Sequence, residues 1–269
     1  MALYLVASPI GNLKDISLRA LETLERADLI YCEDTRVSAK LLSHYKIKAS
    51  LRSYHEHSPE AKRSEILSLL RDGKDIAYLS DAGMPCISDP GKELVKLAVE
   101  HDIEYTVIPG ASAAVCAFAL SGMDEARFTF AGFLDRNRVR AELEALKDLT
   151  HPVIFYESPH RVQALLEEML AVLGDRRISI ARELSKLHES VLHGTIGELL
   201  EHEEIRNPKG EFALVVEGSR AEALILSDQD ILKIGRKRLE DGEKLSAIAK
   251  ELAKMGSLSR AEIYKELSN

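Results

Sequence analysis

Short apolar runs alternate along the first half of the chain with longer stretches in which apolar residues recur every three to four positions. This alternation is typical of βα units and predicts a largely parallel sheet covered by helices. Five strands are predicted here, at residues 3–8, 29–33, 50–54, 75–80 and 104–108. Five helices are predicted to follow them in turn, at residues 17–27, 35–45, 58–71, 89–101 and 112–120.

The pattern restarts near residue 121, where a second set of apolar runs begins. Its strands are predicted at residues 127–134, 152–158, 177–183, 189–195 and 211–217. A helix-like stretch and a turn join the last two of these strands, so we expect some antiparallel pairing there. The second sheet is therefore predicted to be mixed.

No strand pattern follows Gly218, and three short helices are predicted at residues 231–242, 245–256 and 259–269. The chain is thus predicted to be an α/β protein with three parts. These are an N-terminal α/β domain (1–120), a second α/β domain (121–220) and a small C-terminal helical appendage (221–269).

Composition limits the classes of function. A chain of 269 residues, 45% of them hydrophobic, is long enough for about two cores. The net charge of −8 argues against non-specific coating of nucleic acid, although the C-terminal helices carry nine basic residues against nearly as many acidic ones. The three cysteines have no C-x-x-C spacing, and no apolar run approaches the roughly 18 residues that span a bilayer. We therefore predict a cytoplasmic protein with no disulfide framework and no membrane segment.

Four loops rich in Gly, Pro, Asp and small residues follow predicted strands of the first sheet, at residues 8–15, 33–36, 80–91 and 109–113. In an open α/β sheet, ligands bind at the carboxyl ends of the strands. The chain has neither a phosphate-binding P-loop nor a G-x-G-x-x-G motif after a strand, so kinase, GTPase and ordinary dinucleotide functions lose their main support. The loops predict a nucleoside-like cofactor held mostly by main chain. The alternative is that Gly and Pro only end strands here.

Seven sequence strings carry a specific resemblance to a known family. They are ASPIGNLKDIS (7–17), CEDTR (32–36), SDAGMPCISDPG (80–91), PGASA (109–113), YESPHR (156–161), ARELSKLHE (181–189) and KGEFALVVEG (209–218). In this order, over nearly the whole chain, they resemble the bacterial ribosomal RNA small subunit methyltransferase I family of the tetrapyrrole methylase superfamily.

The resemblance implies a tetrapyrrole-methylase-like fold with S-adenosylmethionine in the cleft between two α/β domains. It also implies a homodimer that methylates the ribose 2′-hydroxyl of a cytidine in the decoding region of 16S rRNA, on the small ribosomal subunit. Carried over by motif, the cofactor site would contain Pro9, Ser80, Asp81, Ala82, Gly83, Pro85, Ala111 and Ser112. Tyr156, with Leu214 or Val215, would close over the adenine.

A base that accepts the ribose proton would assist the reaction, and the candidates are Glu33, Asp34, Glu157 and His160. Candidate RNA contacts are Arg36, Arg161, Arg182 and Lys186. Each has a structural alternative. Asp34 could cap a helix, Pro159 could begin one, and the charges at 182–189 could form a solvated strand edge.

The remaining alternatives concern metals and rival functions. His55 and His57 have a metal-like spacing, but no further ligand is evident and we predict no metal. One rival is a methylase of a tetrapyrrole or other small molecule on the same fold. Another is a catalytically silent cofactor-binding module that assists ribosome assembly. The C-terminal helices are either a docking arm for RNA or an ordinary amphipathic extension.

Overall fold

Two five-stranded sheets carry the α/β part of the chain. The structure, a computed structural model, describes residues 2–55, 58–87, 91–219, 228–240, 242–253 and 258–268. It divides into two compact units, Met1–Leu146 with His151–Glu217, and Lys147–Thr150 with Gly218–Asn269. Both sheets lie in the first unit, and the predicted domain boundaries at residues 120 and 220 stay a prediction.

The first sheet is entirely parallel, as predicted, with the order β3-β2-β4-β1-β5. Its strands are β1 (Leu3–Val6), β2 (Leu29–Cys32), β3 (Leu51–Ser53), β4 (Ile76–Leu79) and β5 (Tyr105–Ile108). The helices that follow them are α1 (Leu18–Arg26), α2 (Thr35–His44), α3 (Glu60–Arg71), α4 (Lys92–Glu100) and α5 (Ala113–Leu120). The predicted helix at 89–101 begins in residues 88–90, which lie outside the described residues.

Alternate residues of the central strands enter two separate cores, one on each face of this sheet. Tyr31 and Tyr78 are buried in one core, whereas Ile30 and Leu79 are buried in the other. Strands covered on both faces need nearly continuous apolar sequence, which explains the unbroken run at 76–79. Because all the strands are parallel, the loops after β1, β2, β4 and β5 emerge at one edge.

Main-chain hydrogen bonds join two of these loops. The amide of Ser8 donates to the carbonyl of Gly83, and the amide of Gly83 donates to the carbonyl of Ser8, both at 3.1 Å. This isolated antiparallel bridge fixes the start of the long loop after β4 against the end of β1.

The second sheet is mixed, as predicted, with the order β6-β7-β10-β8-β9. Its strands are β6 (Thr129–Gly132), β7 (Val153–Glu157), β8 (Arg177–Arg182), β9 (Ser190–Thr195) and β10 (Phe212–Val216). Strands β6 and β7 are parallel and the other pairs are antiparallel. The helices of this part are α6 (Val139–Leu146), α7 (Val162–Leu173), α8 (Ile196–Leu200) and α9 (Glu203–Arg206).

Antiparallel pairing does occur in this region, but the last two strands, β9 and β10, do not pair with each other as their connection suggested. Both pair with β8, one on each side. The connection between them contains α8 and α9, so it is long enough to cross the end of β8.

Helix α5 connects the two sheets. It follows β5 of the first sheet, and Ala114 and Ala117 pack in a core with Ile154, Ala181 and Ala213 of the second. The hydroxyl of Tyr156 on β7 accepts a hydrogen bond from the amide of Ala114 at 2.7 Å. Since the N-cap residue of α5, Ser112, makes no side-chain cap, Tyr156 satisfies an amide that the helix itself leaves open.

The C-terminal unit contains the three predicted helices, α10 (Asp228–Glu240), α11 (Leu245–Leu252) and α12 (Arg260–Ser268). They enclose a small core of Ile231, Ile248, Ala249, Leu252 and Ile263. The ends of the predicted helices at 241, 254–257 and 269 lie outside the described residues. Within the part of the chain that the structure describes, every helix is too short or too polar to cross a membrane.

The Tyr156→Phe variant tests the link between the sheets. Removing the hydroxyl leaves the Ala114 amide without its acceptor, so we expect the free energy of unfolding to fall by about 1–3 kcal/mol. Urea unfolding followed by circular dichroism measures this loss. Tyr264→Phe, at an exposed tyrosine of α12, is the matched control and should leave the urea midpoint of unfolding unchanged. Equal urea midpoints of unfolding for both variants would contradict the proposed capping of α5 by the Tyr156 hydroxyl.

Candidate functional site

A cavity of about 470 Å³ lies in the first compact unit. The loops of the first sheet contribute one wall, and strands β7, β8 and β10 contribute the other. Residues from the two walls include Ile10, Ala82, Gly83, Met84, Ser112, Ala113, Tyr156, Glu157, Ala181, Phe212 and Ala213. The volume falls within the range of about 300–1,000 Å³ that is usual for small-molecule sites.

Four of the predicted cofactor residues line this cavity: Ala82, Gly83, Ser112 and Tyr156. Gly83 has φ of 79°, a left-handed conformation that favours glycine. A Cβ atom at this position would lie 3.0 Å from Cγ2 of Ile10 and 3.2 Å from the carbonyl oxygen of Ala111. Glycine therefore lets three loops meet closely at the cavity wall.

The other predicted residues of these loops lie behind the wall. Pro9, Ser80 and Pro85 are buried and do not line the cavity. The amide of Ser80 donates to the carbonyl of Val6 at 3.1 Å, which continues the sheet beyond the end of β4. Ala111 also stays off the cavity surface and packs its carbonyl against Gly83.

Asp81 interacts with the loop after β2 and does not line the cavity. Its carboxylate oxygens accept hydrogen bonds from the amide of Asp34 at 3.1 and 3.3 Å. Asp34 in turn caps α2, accepting from the amide of Arg36 at 2.8 Å and from its guanidinium at 2.6 Å. Asp34 is thus both a helix cap and a partner of Arg36. Glu33 is exposed and, like Asp34 and Arg36, is not part of the cavity wall.

Strand β10 meets the cavity at different residues from those predicted. Leu214 and Val215 are fully buried and do not line it, whereas Phe212 and Ala213 do. The physical reason is position along the strand, because Phe212 and Ala213 are its first two residues and Leu214 and Val215 lie further into the sheet. Ala213 and Val215 share one face, and Val215 lies deeper in the core beneath the cavity, while Leu214 points to the opposite face.

Glu157 is the one base candidate of the four that lines the cavity. Its side chain is 1% exposed. Its Oε1 atom accepts a hydrogen bond from the amide of Ser158 at 2.7 Å. Its Oε2 atom lies 3.3 Å from the guanidinium of Arg161, an ion-pair distance. This second oxygen has no hydrogen-bond partner among the described residues. His160 is exposed and does not line the cavity.

The predicted RNA contacts of the second half are engaged within the protein. Arg161 also donates to the carbonyl of Leu134 at 3.3 Å, so its guanidinium faces inward. Arg182 forms an ion pair with Glu204 at 2.8 Å. Lys186 lies 2.8 Å from Glu183 and 2.9 Å from Glu211.

The segment between β8 and β9 has two non-glycine residues with positive φ, Glu183 at 52° and Ser185 at 67°. Leu184 lies between them and lines the cavity. The hydroxyl of Ser185 donates to Asp15, so this segment is held against the first loop of the other sheet.

Sequence reasoning missed several lining residues, among them Ile10, Met84, Ile87, Phe133, Leu184 and Phe212. Phe133 follows β6 and is 58% exposed. An aromatic residue directly after Gly132, in a strand-ending position, was the available signal for it.

Among the residues that the structure describes, no group of three or more His, Cys, Asp or Glu side chains could hold a metal ion. His57, half of the pair with metal-like spacing, lies outside the described residues.

The Arg36→Ala variant tests the electrostatics at the start of α2. Hydrogen bonds from Arg36 lower the pKa of Asp34 to about 2. Removing the guanidinium should raise this pKa toward the ordinary value of 3.8, although the backbone hydrogen bonds remain. Because the folded protein favours ionised Asp34, its contribution to stability is complete above the ordinary pKa and is lost as the pH falls toward 2.

Carbon-detected NMR titration of the Asp34 carboxyl measures the shift. Arg19→Ala, on the exposed surface of α1, is the control and should leave the midpoint unchanged. A titration midpoint of Asp34 near 2 in both variants would show that Arg36 does not lower the pKa of Asp34.

Comparison with known proteins places this geometry in a family. Residues 2–200 match the profile of the family described as Tetrapyrrole (Corrin/Porphyrin) Methylases. A relative from Halalkalibacterium halodurans, named ribosomal RNA small subunit methyltransferase I, is 49% identical over 219 residues, which are 81% of this chain and 76% of the relative. A relative of the same name from Synechocystis sp. is 42% identical over 98% of this chain and 96% of its own length.

Solved structures show the same fold at lower identity. Uroporphyrin-III-C-methyltransferase from Thermus thermophilus aligns with a TM-score of 0.57 at 22% identity, covering 80% of this chain and 94% of its own. Diphthine synthase aligns with a TM-score of 0.62 at 16% identity, covering 81% and 90%.

Proposed function

Since the chain belongs to the ribosomal RNA small subunit methyltransferase I family of the tetrapyrrole methylases, we propose that it methylates the ribose 2′-hydroxyl of a cytidine in the decoding region of 16S rRNA. It is a methyltransferase whose cofactor is S-adenosylmethionine. The observation that supports the proposed reaction is a buried carboxylate, Glu157, on the wall of the cavity formed by the two sheets. The proposed substrate is the small ribosomal subunit, which would place the protein in the cytoplasm.

The residues at the cavity fit this cofactor. Ala82, Gly83, Ala113 and Ala213 make walls of small side chains that leave room for a flat adenine. The left-handed backbone at Gly83 brings main chain close to the cavity, as a nucleoside held by backbone groups requires. We propose that Ser112 and Tyr156, which line the same cavity, also contact it.

S-adenosylmethionine, when bound, supplies an electrophilic methyl group on a sulfonium. The enzyme's task is then alignment and the exclusion of water, and Ile10, Met84 and Phe212 give the cavity apolar walls. Glu157 has a carboxylate oxygen with no hydrogen-bond partner among the described residues, so it can accept the proton of the ribose hydroxyl. Of the four base candidates, we therefore propose Glu157.

The Glu157→Gln variant tests the reaction and the base together. Small subunits isolated from cells lacking the modification are incubated with purified protein and labelled cofactor, and mass spectrometry of the digested RNA locates the methyl group. We expect one methylated cytidine ribose with the wild type. The variant should lower kcat by about 10²–10⁴-fold and leave the Kd of the cofactor unchanged, because the amide cannot accept the proton.

Two controls accompany this assay. Glu167→Gln is the same change at an exposed position on α7 and should keep full activity. Gly83→Leu, which adds a side chain at the crowded wall, should abolish cofactor binding. Label on an added tetrapyrrole and not on RNA would overturn the proposed substrate. Cofactor binding without methylation of any RNA would favour the silent assembly module.

We further propose that the protein is a homodimer with β5 at the interface. This strand lies at the edge of the first sheet, and Tyr105 and Val107, on one face of it, are 44% and 43% exposed. An uncovered edge strand with apolar side chains is prone to aggregate, so native proteins cover or charge such an edge. The strand carries no charged residue of its own.

Val107→Lys should convert the dimer to a monomer in analytical ultracentrifugation, because a buried unpaired charge opposes association. Val37→Lys is the matched control, since Val37 is also 43% exposed but lies on α2. If Val107→Lys and Val37→Lys both sediment with the mass of the wild-type protein, β5 is not the interface.

A further inference from the structure

An exposed aromatic ring stands on the wall of the cavity. Phe133 is 58% exposed although it lines the cavity, and its ring centroid lies 5.5 Å from that of Tyr156. Exposure of so large an apolar surface opposes folding, since burying it would be favourable. The ring therefore has an open surface on which a flat ligand can stack.

The segment that follows, residues 133–140, is called the arginine rim here. Its turn is fixed by Asp135, whose carboxylate accepts from the amide of Asn137 at 2.9 Å and whose carbonyl accepts from the amide of Arg138 at 2.9 Å. The carbonyl of Leu134 accepts from Arg161, which also forms the ion pair with Glu157. The rim is thus connected, through one guanidinium, to the carboxylate proposed as base.

Three arginines of the rim are available for an external anion. Arg136, Arg138 and Arg140 are exposed, and their guanidinium groups make no hydrogen bond or ion pair with any residue that the structure describes. By contrast, Arg36, Arg161 and Arg182 all have carboxylate partners. The one acid of the rim, Asp135, is used by the turn. The rim is therefore locally cationic in a chain whose net charge is −8.

The spacing brings ring and cations within reach of one nucleotide. Arg136 is three residues from Phe133, so their Cα atoms are at most about 11 Å apart. Single-stranded RNA is recognised by stacking unpaired bases on aromatic rings and by pairing phosphates with Arg or Lys. A small ligand enclosed by the cavity would need neither the open ring nor three outward-facing arginines.

We propose that Phe133 stacks on the base of the nucleotide to be methylated, or of its neighbour, and that Arg136, Arg138 and Arg140 bind the flanking phosphates. This inference rests on the proposed function, because it assigns the part of the site that holds the RNA. It gives the target nucleotide a position at the cavity mouth, unstacked from its own strand.

Binding of a fluorescent single-stranded RNA of the decoding-region sequence tests the rim without the methylation reaction. Phe133→Ala should weaken binding by about 10- to 100-fold through loss of stacking, whereas Phe133→Tyr keeps an aromatic face and should bind like the wild type. The triple variant R136A/R138A/R140A should reduce the slope of log affinity against log salt by about 2, since each phosphate contact on a single strand contributes about 0.7. Calorimetry should find the Kd of the cofactor unchanged in the triple variant, because its three arginines do not line the cavity.

The triple variant R19A/R26A/R71A is the matched control, with the same change of charge at exposed arginines of α1 and α3. It should keep the wild-type slope. The rim variants could bind RNA with the affinity and salt dependence of the wild type while the wild type still methylates subunits. That result would overturn the proposed role of the rim and leave the proposed function intact. Failure of the wild type to methylate any RNA, with affinity still lost in the rim variants, would overturn the proposed function and support the rim as a nucleic-acid site.

Discussion

The packing of α5 against the second sheet is the contact on which the rest of the structure depends. This helix begins directly after the first sheet and buries its alanines against β7, β8 and β10. Small side chains allow helix and sheet to approach closely, and Tyr156 completes the contact by capping the helix. Because Ser112 and Ala113 at its start also line the cavity, the same contact that joins the sheets sets the distance between the two walls.

Most charged groups near the cavity are paired within the protein. At the loop edge, Asp81, Asp34 and Arg36 satisfy one another or nearby amides. Behind β8, Lys186 lies between two glutamates. Glu157 is the exception among these groups, since one of its oxygens lacks a hydrogen-bond partner among the described residues and its cationic neighbour is shared with a backbone carbonyl. A charged group that is paired but incompletely hydrogen-bonded can take a further donor from a ligand.

The sequence pattern predicted both sheets because each strand is a short apolar run between turn residues. The spacing of apolar residues within such a run can be read from neighbouring positions in the sequence alone. It also predicted that the loops meet at one edge, which follows from parallel strands alone. It could not tell that β10 presents Phe212 and Ala213 to the cavity, because the depth of each residue along a buried strand depends on the whole packed sheet. The inward turn of Arg161 was hidden for a similar reason, since its partners include a carbonyl 27 residues earlier in the chain.

The family resemblance predicted which loop residues belong to the site. It did not predict which of them line the cavity and which contact other loops. Asp81 and Ala111 lie in matching motifs, and the structure gives them contacts with other loops and none with the cavity. Phe133 and the arginine rim lie outside the matched strings, so the resemblance did not mark them. Exposure of an aromatic ring and the absence of described carboxylate partners are properties of the folded chain only.

The left-handed backbone on either side of Leu184 has a consequence for selectivity. Each of these two conformations costs roughly 1–3 kcal/mol for a residue with a side chain, and the fold retains both. Such conformations persist only where the surrounding contacts fix them, and here Ser185 is held by Asp15 and Glu189, and Glu183 by Lys186. A ligand with an extra methyl group beside Leu184 therefore meets a rigid boundary, and discrimination at that point is steric.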